Sequence, residues 1–459
     1  MRSLMHVACG MLGLLLLAGA AHAREPAAGK SADPAQLAFR DAVNRPPGDW
    51  DGHRFALSHQ YPATKPTCDA PWLRQEVSFT DPNPSWDQWK AYIQAIVDYV
   101  WEDQDPNLPD RLGWKVAVKG KVRWFHVPWM AYDGQRGREY VHGLTNELST
   151  AESTFRGGGR GSGRHHLPGA VAVDGVDPLF ETWSVGMYNP CGAWSLGQAV
   201  PHTGVPATTD GGALARGLPF PEGTVVIKIL NTTADEKAVP YLKGSTNWSA
   251  DGHVQTSPTQ YETCRRAVTK VHMVQMDIAV VDPRSPTRWV YSTLAYDGRL
   301  PGPTVRSRLV PLGVQWGSDG LTFPAVPQGQ SRPLRETIHA PIDLPQHYGC
   351  QGRLAGVVDQ ANSSCVSCHM GAYAAPVGVV GVQGKDVPAI FTFDDICTRN
   401  TPDNQAYFSD YKYPAGYPSG AFKTAIPLDS SLQLAVAFQQ YAVATTRPTN
   451  PPICPPAGR

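Results

Sequence analysis

The sequence predicts an α+β protein that is rich in β-structure, with an antiparallel sheet, few helices and many loops. Glycine and proline are abundant, at 44 and 42 of the 459 residues, and this composition indicates many turns and irregular connections. Runs of β-branched and aromatic residues have the length of strands, and the connections between them lack regular helices, which favours antiparallel pairing. A hydrophobic content of 42% is enough for a sizeable core.

The first element is typical of a signal peptide. Residues 1–3 form a short basic start, and residues 7–21 are almost wholly apolar. A small-x-small pattern then ends at Ala23, so we expect cleavage there and a mature chain that begins at Arg24. The apolar run is shorter than the roughly 20 residues that a membrane span needs. We therefore expect a periplasmic or secreted protein with no membrane span in the mature chain.

The next elements are a helix and two short strand-like pieces. A helix is predicted from Ser85 to Trp101, because Ser85 is a suitable N-cap. Apolar residues then recur at helical spacing, namely Trp89, Ile93, Ile96, Val97 and Val100. Residues 121–127 and 138–143 alternate apolar and polar side chains and are predicted to be strands.

The middle of the chain carries the predicted sheet. Its strands are rich in β-branched and aromatic residues and end at Pro, Gly or Asp turns. They are residues 182–188, 223–230, 271–281 and 289–296. After Pro301 the chain is expected to be rich in loops, until an apolar run that includes Leu432 and Phe438 predicts a C-terminal helix ending near Tyr441.

The chain after the signal peptide is divided at residue 215. Residues 24–215 are interpreted as an N-terminal α+β region of unknown role, and residues 216–459 as a β-rich region. One continuous domain is the alternative to this division. The 40 basic residues balance the 40 acidic ones, which argues against a nucleic-acid partner because such proteins carry a basic surface.

The most specific motif is Cys-Val-Ser-Cys-His at residues 365–369. Cys-x-x-Cys-His is the attachment signature of a c-type haem. The thiols of Cys365 and Cys368 can each add to a vinyl group of one porphyrin, and His369 then binds the iron as the proximal ligand. A zinc site would need a second Cys/His pair at similar spacing, and the sequence contains none. We expect one covalent haem c, carried by the C-terminal part of the β-rich region.

The other cysteines predict disulfide bonds. Without Cys9 in the signal peptide and the two haem thiols, six cysteines remain: Cys68, Cys191, Cys264, Cys350, Cys397 and Cys454. An oxidising compartment permits three disulfides among them, in any of 15 pairings, and free thiols are the alternative. The pair Cys397–Cys454 is favoured because it would hold the Pro-rich C-terminal tail.

A family resemblance adds to these patterns. The segment Phe-Pro-Glu-Gly-Thr-Val-Val-Ile-Lys at residues 220–228 resembles the F-P-x-G-T-x-x-x-K strand entry of the cytochrome c-prime-beta and lysine-crosslinked (P-four-sixty) cytochromes. Strands at residues 276–282 and 289–297 and the haem motif follow in the family's order, so the resemblance covers roughly residues 218–371. The chain is also similar to exported monohaem c-type cytochromes of no assigned activity.

The resemblance implies a small antiparallel sheet that carries a c-type haem. Some members of the family bond a lysine to the porphyrin edge and oxidise hydroxylamine, whereas others bind nitric oxide at a five-coordinate haem. Lys228 stands where the family's strand lysine stands, so the resemblance makes it the position to test for a crosslink, and an ordinary strand lysine that faces solvent is the alternative. The link from Asp297 to Cys365 is longer than the family's, and residues 39–215 have no counterpart in it.

The sixth ligand of the iron decides the function. A second strong ligand gives an electron carrier, whereas an open position permits peroxide, nitric oxide or hydroxylamine chemistry. No methionine follows Met370, and Met370 is too close to His369 to reach the opposite face of the haem. The candidate distal histidines are His126, His142, His202, His272, His339 and His347. His347 ranks first because it lies in the loop that approaches the motif.

Two hypotheses follow, and they leave open whether the protein is an enzyme. The first is an exported cytochrome for periplasmic electron transfer or redox chemistry, which works with a redox partner protein or a small redox-active molecule. The second is a haem enzyme or gas-binding protein with an open distal site for nitric oxide, hydroxylamine or peroxide. A haem that serves only as a structural element is a third and simpler alternative.

Overall fold

The structure is a computed structural model of the chain. It describes residues 60–108, 114–127, 130, 144–147, 163–201, 218, 220–317, 335–339, 348–370, 372–374, 397–398, 400, 408 and 426–445. The strands are β1 (Ala117–Val118), β2 (Lys121–Val122), β3 (Thr145–Asn146), β4 (Arg164–His165), β5 (Phe180–Tyr188), β6 (Val225–Thr232), β7 (Asn247–Ser257), β8 (Gln260–Val281), β9 (Trp289–Tyr296), β10 (Leu309–Gln315), β11 (Glu336–Ile338), β12 (Tyr373–Ala374) and β13 (Ile426–Pro427). The α-helices are α1 (Trp86–Val100), α2 (Pro190–Ala199), α3 (Cys365–Met370) and α4 (Leu432–Thr445).

One large antiparallel sheet dominates the described residues. Its strand order is β11-β10-β9-β8-β6-β5-β3, and β4 pairs with β5 while β7 pairs with β8. The pairs β1–β2 and β12–β13 form two small sheets of their own. The predicted β-rich α+β class with an antiparallel sheet and few helices is confirmed. The large sheet also crosses the division at residue 215, since β5 precedes that residue and pairs with β6, which follows it.

One face of the large sheet packs against α1 and carries the main hydrophobic core. Strand residues alternate between the two faces, so Val225, Ile227 and Ile229 face this core. The apolar stripe of α1 belongs to the same core, and its Trp89 stacks on Trp316 with ring centroids 4.1 Å apart. The helix begins after Ser85, whose backbone N–H donates to the side chain of Gln88 at 2.7 Å, as in a capping box.

The opposite face of the sheet is covered by a C-terminal segment, defined as residues 355–370, which include α3, and the first turn of α4. This face presents Lys228 of β6, whose backbone pairs with Gly186 on one side and Asp277 on the other. A Cβ atom at Gly186 would lie 1.9 Å from Nε2 of Gln433 in α4. The absent side chain therefore lets the first turn of α4 approach the sheet closely.

Several predicted elements are confirmed and some were missed. The helix predicted from Ser85, the C-terminal helix and the four central strands are all present, although β8 begins at Gln260, well before the predicted residue 271. Of the strand predicted at residues 121–127, only the first two residues are a strand. Residues 138–143 lie outside the described residues. The helix α2 and the strands β7, β10 and β11 were not predicted, and two of these strands interrupt the predicted loop-rich region after Pro301.

The disulfide prediction needs a correction. Cys68 is bonded to Cys191 and Cys350 to Cys397. The favoured pair Cys397–Cys454 is therefore wrong, because the fold brings Cys397 within 5.5 Å (Cα–Cα) of Cys350. Disulfides of this kind persist in oxidising compartments, in keeping with an extracytoplasmic protein.

The membrane prediction is tested only on the described part of the chain. No helix there is both long enough and apolar enough to span a bilayer. The predicted signal peptide, residues 1–23, lies outside the described residues.

Candidate functional site

A deep pocket lies between the C-terminal segment and the sheet face that α1 does not cover. Strands β5, β6, β8 and β9 form one wall, and residues 355–369 and the first turn of α4 form the other. The space, counted out to its open mouth, is about 1190 Å³.

The Cys-x-x-Cys-His motif at residues 365–369 lies in this pocket. The short helix α3 places Cys365, Cys368 and His369 along the lining, because residues three and four apart share one face of a helix. The two thiols are not bonded to each other, and Sγ of Cys365 donates to the backbone oxygen of Leu354 at 3.5 Å. Burial, helped by the nearby Asp359, raises the pKa of Cys368 to about 12, so this thiol is protonated at neutral pH.

His369 is oriented as a metal-ligating histidine usually is. Its Nδ1 lies 3.0 Å from the backbone oxygen of Ser430, so Nδ1–H donates and Nε2 keeps its lone pair. The imidazole packs against the ring of Tyr291, with centroids 4.7 Å apart. Burial lowers the pKa of His369 to about 4, and the ring is therefore neutral at physiological pH, which is the form that binds a metal.

Aromatic side chains line the part of the pocket nearest to His369. Tyr188, Trp289 and Tyr291 belong to the lining, and Phe220 packs behind them. Tyr188 stacks on Phe220 at 5.5 Å, and Trp289 stacks on Tyr291 at 6.2 Å, between ring centroids. These rings give a broad apolar surface that suits a flat, hydrophobic ligand.

Charged groups line the other part of the pocket. Nζ of Lys228 forms an ion pair with Glu147 at 3.0 Å. Burial alone would lower the pKa of Lys228, but Glu147 and the neighbouring Asp277 outweigh it, and the pKa is raised. The lysine is therefore charged at neutral pH and held at the pocket wall by acidic neighbours.

Two aspartates in the same part of the pocket are linked through the side chain of Gln275. Nε2 of Gln275 donates to Asp277 at 2.6 Å and to Asp359 at 3.1 Å, and the hydroxyl of Thr293 donates to Asp277 at 2.7 Å. Burial, with repulsion from Asp359, raises the pKa of Asp277 to about 8. This carboxyl group can thus give or take a proton near neutral pH.

The predicted site residues divide into three groups. Cys365, Cys368, His369 and Lys228 all line the one pocket. His347, the first choice for a distal ligand, lies outside the described residues, as do His142 and His202. The remaining candidates are elsewhere in the fold: His126, His272 and His339 do not belong to the lining.

The contacts of His339 and His126 explain why these two histidines lie away from the pocket. His339 stacks on Trp86 at 4.4 Å and its Nδ1 lies 3.0 Å from the backbone oxygen of Pro311, so it packs beside α1. Nδ1 of His126 lies 3.2 Å from the backbone oxygen of Gly186. Both are histidines that contribute to packing in the described structure.

Other pocket residues were not predicted as site residues. They are Glu147, Tyr188, Asp277, Tyr291, Asp359 and Ser430. They come from distant parts of the chain, so no local pattern marks them. No group of three or more His, Cys, Asp or Glu able to hold a metal ion occurs among the described residues, and a structural zinc site would need four such ligands.

Comparison with known proteins gave no relatives. No family model, no curated protein and no solved structure matches the chain. The assignment of a function therefore rests on the motif at residues 365–369 and on the chemistry of the pocket that surrounds it.

Proposed function

We propose that the chain is an exported c-type cytochrome that binds one covalent haem and serves periplasmic electron transfer or redox chemistry. One observation carries the proposal: two unbonded thiols and a neutral, oriented imidazole line a single pocket with an aromatic wall. Thiols at this spacing followed by histidine are the haem c signature. The likeness to the cytochrome c-prime-beta and lysine-crosslinked cytochromes belongs to the same proposal.

The residues of the pocket fit a haem. Cys365 and Cys368 would hold the porphyrin through two thioether bonds, and His369 would bind the iron through Nε2. The carbonyl of Ser430 keeps the imidazole in the required tautomer. The aromatic wall would cover the macrocycle and exclude water. When bound, the haem would supply one-electron redox chemistry.

A second candidate function is favoured by the charged part of the pocket. Lys228, Asp277 and Asp359 place groups that can hold a proton beside the proposed haem position. Outer-sphere electron transfer needs no such groups, whereas conversion of a small nitrogen oxide, hydroxylamine or peroxide needs protons. A haem enzyme or gas-binding protein with an open distal position therefore stays the alternative. Lys228 is the proposed position for a crosslink to the porphyrin edge.

Absorption spectra distinguish the two functions. Sharp low-spin bands in the reduced protein that do not respond to carbon monoxide are expected of an electron carrier with two strong ligands, and they would rule out the open site. A high-spin spectrum that shifts with carbon monoxide or nitric oxide would rule out the carrier.

Covalent attachment is tested separately. A variant with Cys365→Ala and Cys368→Ala, exported in a host that matures c-type cytochromes, should lose the haem under denaturing electrophoresis. The matched control is Cys350→Ala with Cys397→Ala, which removes the nearby disulfide but leaves the motif intact, and it should keep the haem. Covalent haem retained by the first variant would refute the proposed function.

A further inference from the structure

A tight turn at residues 428–431 lies against the haem motif and has an unusual backbone. Asp429 and Ser430 are consecutive residues with left-handed conformation, at φ values of 44° and 68°. Residues other than glycine seldom adopt positive φ. Such a conformation persists only when the surrounding structure holds it in place, and it is often found at functional sites.

The carboxylate of Asp429 holds this turn to the sheet. Its oxygens accept hydrogen bonds from the backbone N–H of Phe220 at 2.6 Å and from Nε1 of Trp289 at 3.3 Å. Arg288 adds an ion pair at 3.3 Å and donates from its second terminal nitrogen to the backbone oxygen of Phe220 at 2.8 Å. Asp429 is thus bonded both to the chain that leads into β6 and to the start of β9.

Two residues of the turn make hydrogen bonds with residues that line the pocket. The backbone oxygen of Ser430 accepts the hydrogen bond from Nδ1–H of His369. The hydroxyl of the next residue, Ser431, lies 2.6 Å from the hydroxyl of Tyr188 and accepts from the backbone N–H of Leu434, as an N-cap of α4 does. The position of the Ser430 carbonyl therefore depends on the backbone conformation that Asp429 stabilises.

We propose that Asp429 is a positioning residue for His369: it holds the turn that presents the Ser430 carbonyl to Nδ1–H and so sets the electron donation of the imidazole to iron. The inference rests on the proposed function, since His369 has a ligand role only with a haem. A hydrogen bond from Nδ1–H makes a metal-bound imidazole more basic. Stronger donation stabilises the ferric state, and hydrogen bonding around the axial ligand is one way in which a protein tunes a haem.

The test is Asp429→Asn in the exported holoprotein. Asparagine keeps the size of the side chain but loses the ion pair with Arg288 and one of the two acceptor oxygens. We expect a higher haem reduction potential and, where the ferrous iron has an open distal position, a lower iron–histidine stretching frequency in the resonance Raman spectrum. The matched control is Asp297→Asn, which removes a buried acid paired with Arg299 at 2.7 Å beyond the other end of β9 and should change neither quantity.

A second substitution separates positioning from general stability. Glycine adopts positive φ without strain, so Ser430→Gly added to Asp429→Asn should return both readouts towards the wild-type values. If Asp429→Asn does not accumulate, Arg288→Gln removes the same ion pair from the opposite side and should shift both readouts in the same direction.

These experiments distinguish a failure of the role proposed for Asp429 from a failure of the proposed function. An unchanged potential and an unchanged iron–histidine band in Asp429→Asn, with the haem covalently bound, would overturn the role of Asp429 alone. Equal shifts in the Asp297→Asn control would also overturn it, since the effect would not depend on the turn. A wild-type protein without covalent haem would instead refute the proposed function.

Discussion

The raised pKa of Asp277 predicts that the protein loses stability as the pH rises, and that Asp277→Asn removes this loss. The substituted asparagine would mimic the protonated carboxyl group, since it is neutral and its Oδ1 can still accept from Gln275 and Thr293. A folded-state pKa of about 8 lies above the ordinary value of 3.8. Folding therefore takes up a proton between these pH values, and stability falls as the pH rises through this window.

The size of the change in the free energy of unfolding follows from how far the pKa of Asp277 is raised. Each pKa unit is worth about 1.36 kcal/mol, so the whole window corresponds to about 6 kcal/mol as an upper bound. About 2 kcal/mol of this falls between pH 6.5 and 8. Burial lowers the pKa of His253, His272 and His369, and the stability gained from these groups as the pH rises cancels when two proteins that both carry them are compared.

The assay is urea denaturation followed by circular dichroism at several pH values from 5 to 9. The free energy of unfolding of Asp277→Asn minus that of the wild type should grow with pH by about 2 kcal/mol between pH 6.5 and 8. The control is Asp87→Asn, an exposed residue in the first turn of α1, for which the difference should not vary with pH. A difference for Asp277→Asn that is independent of pH would refute the reasoning.

Three further predictions concern packing, the disulfide and the proposed crosslink. Gly186→Ala should lower the free energy of unfolding by about 1–3 kcal/mol, because the new methyl group overlaps Gln433; Gln433→Ala should restore most of it, and no recovery would contradict this packing. Replacing Cys350 and Cys397 with alanine should cost about 2–4 kcal/mol in urea denaturation, and an unchanged midpoint would show that the bond is unimportant. Lys228→Ala should abolish a red-shifted, broad Soret band if the lysine is bonded to the porphyrin, and a band that survives the substitution would rule the crosslink out.

The parts of the fold with strong local patterns could be predicted from the sequence. The helix after Ser85 combines a capping residue with helical spacing, and β9 is an uninterrupted run of β-branched and aromatic residues. The strand β10 was missed because Pro311 and Gly313 interrupt it, and the pairing with β9 shifts register between these two residues. The helix α2 contains two glycines that obscure its pattern, although Asn189 and a following proline mark its start.

The candidate site was only partly predictable, for a physical reason. Cys365, Cys368 and His369 are adjacent in the chain, so their chemistry is visible as a motif. Asp277 and Asp359 are far apart in the chain, and the fold links them through Gln275, which donates to both. The disulfide between Cys350 and Cys397 was missed for the same reason, since sequence spacing does not report which cysteines the fold brings together.

The mass of the exported protein under denaturing conditions tests the central claim most directly. Mass spectrometry of the intact wild-type chain should give the polypeptide mass increased by one haem, and digestion should locate the added mass in the peptide that contains Cys365 and Cys368. A polypeptide of unmodified mass, from a host that attaches haem to other c-type cytochromes, would contradict the account.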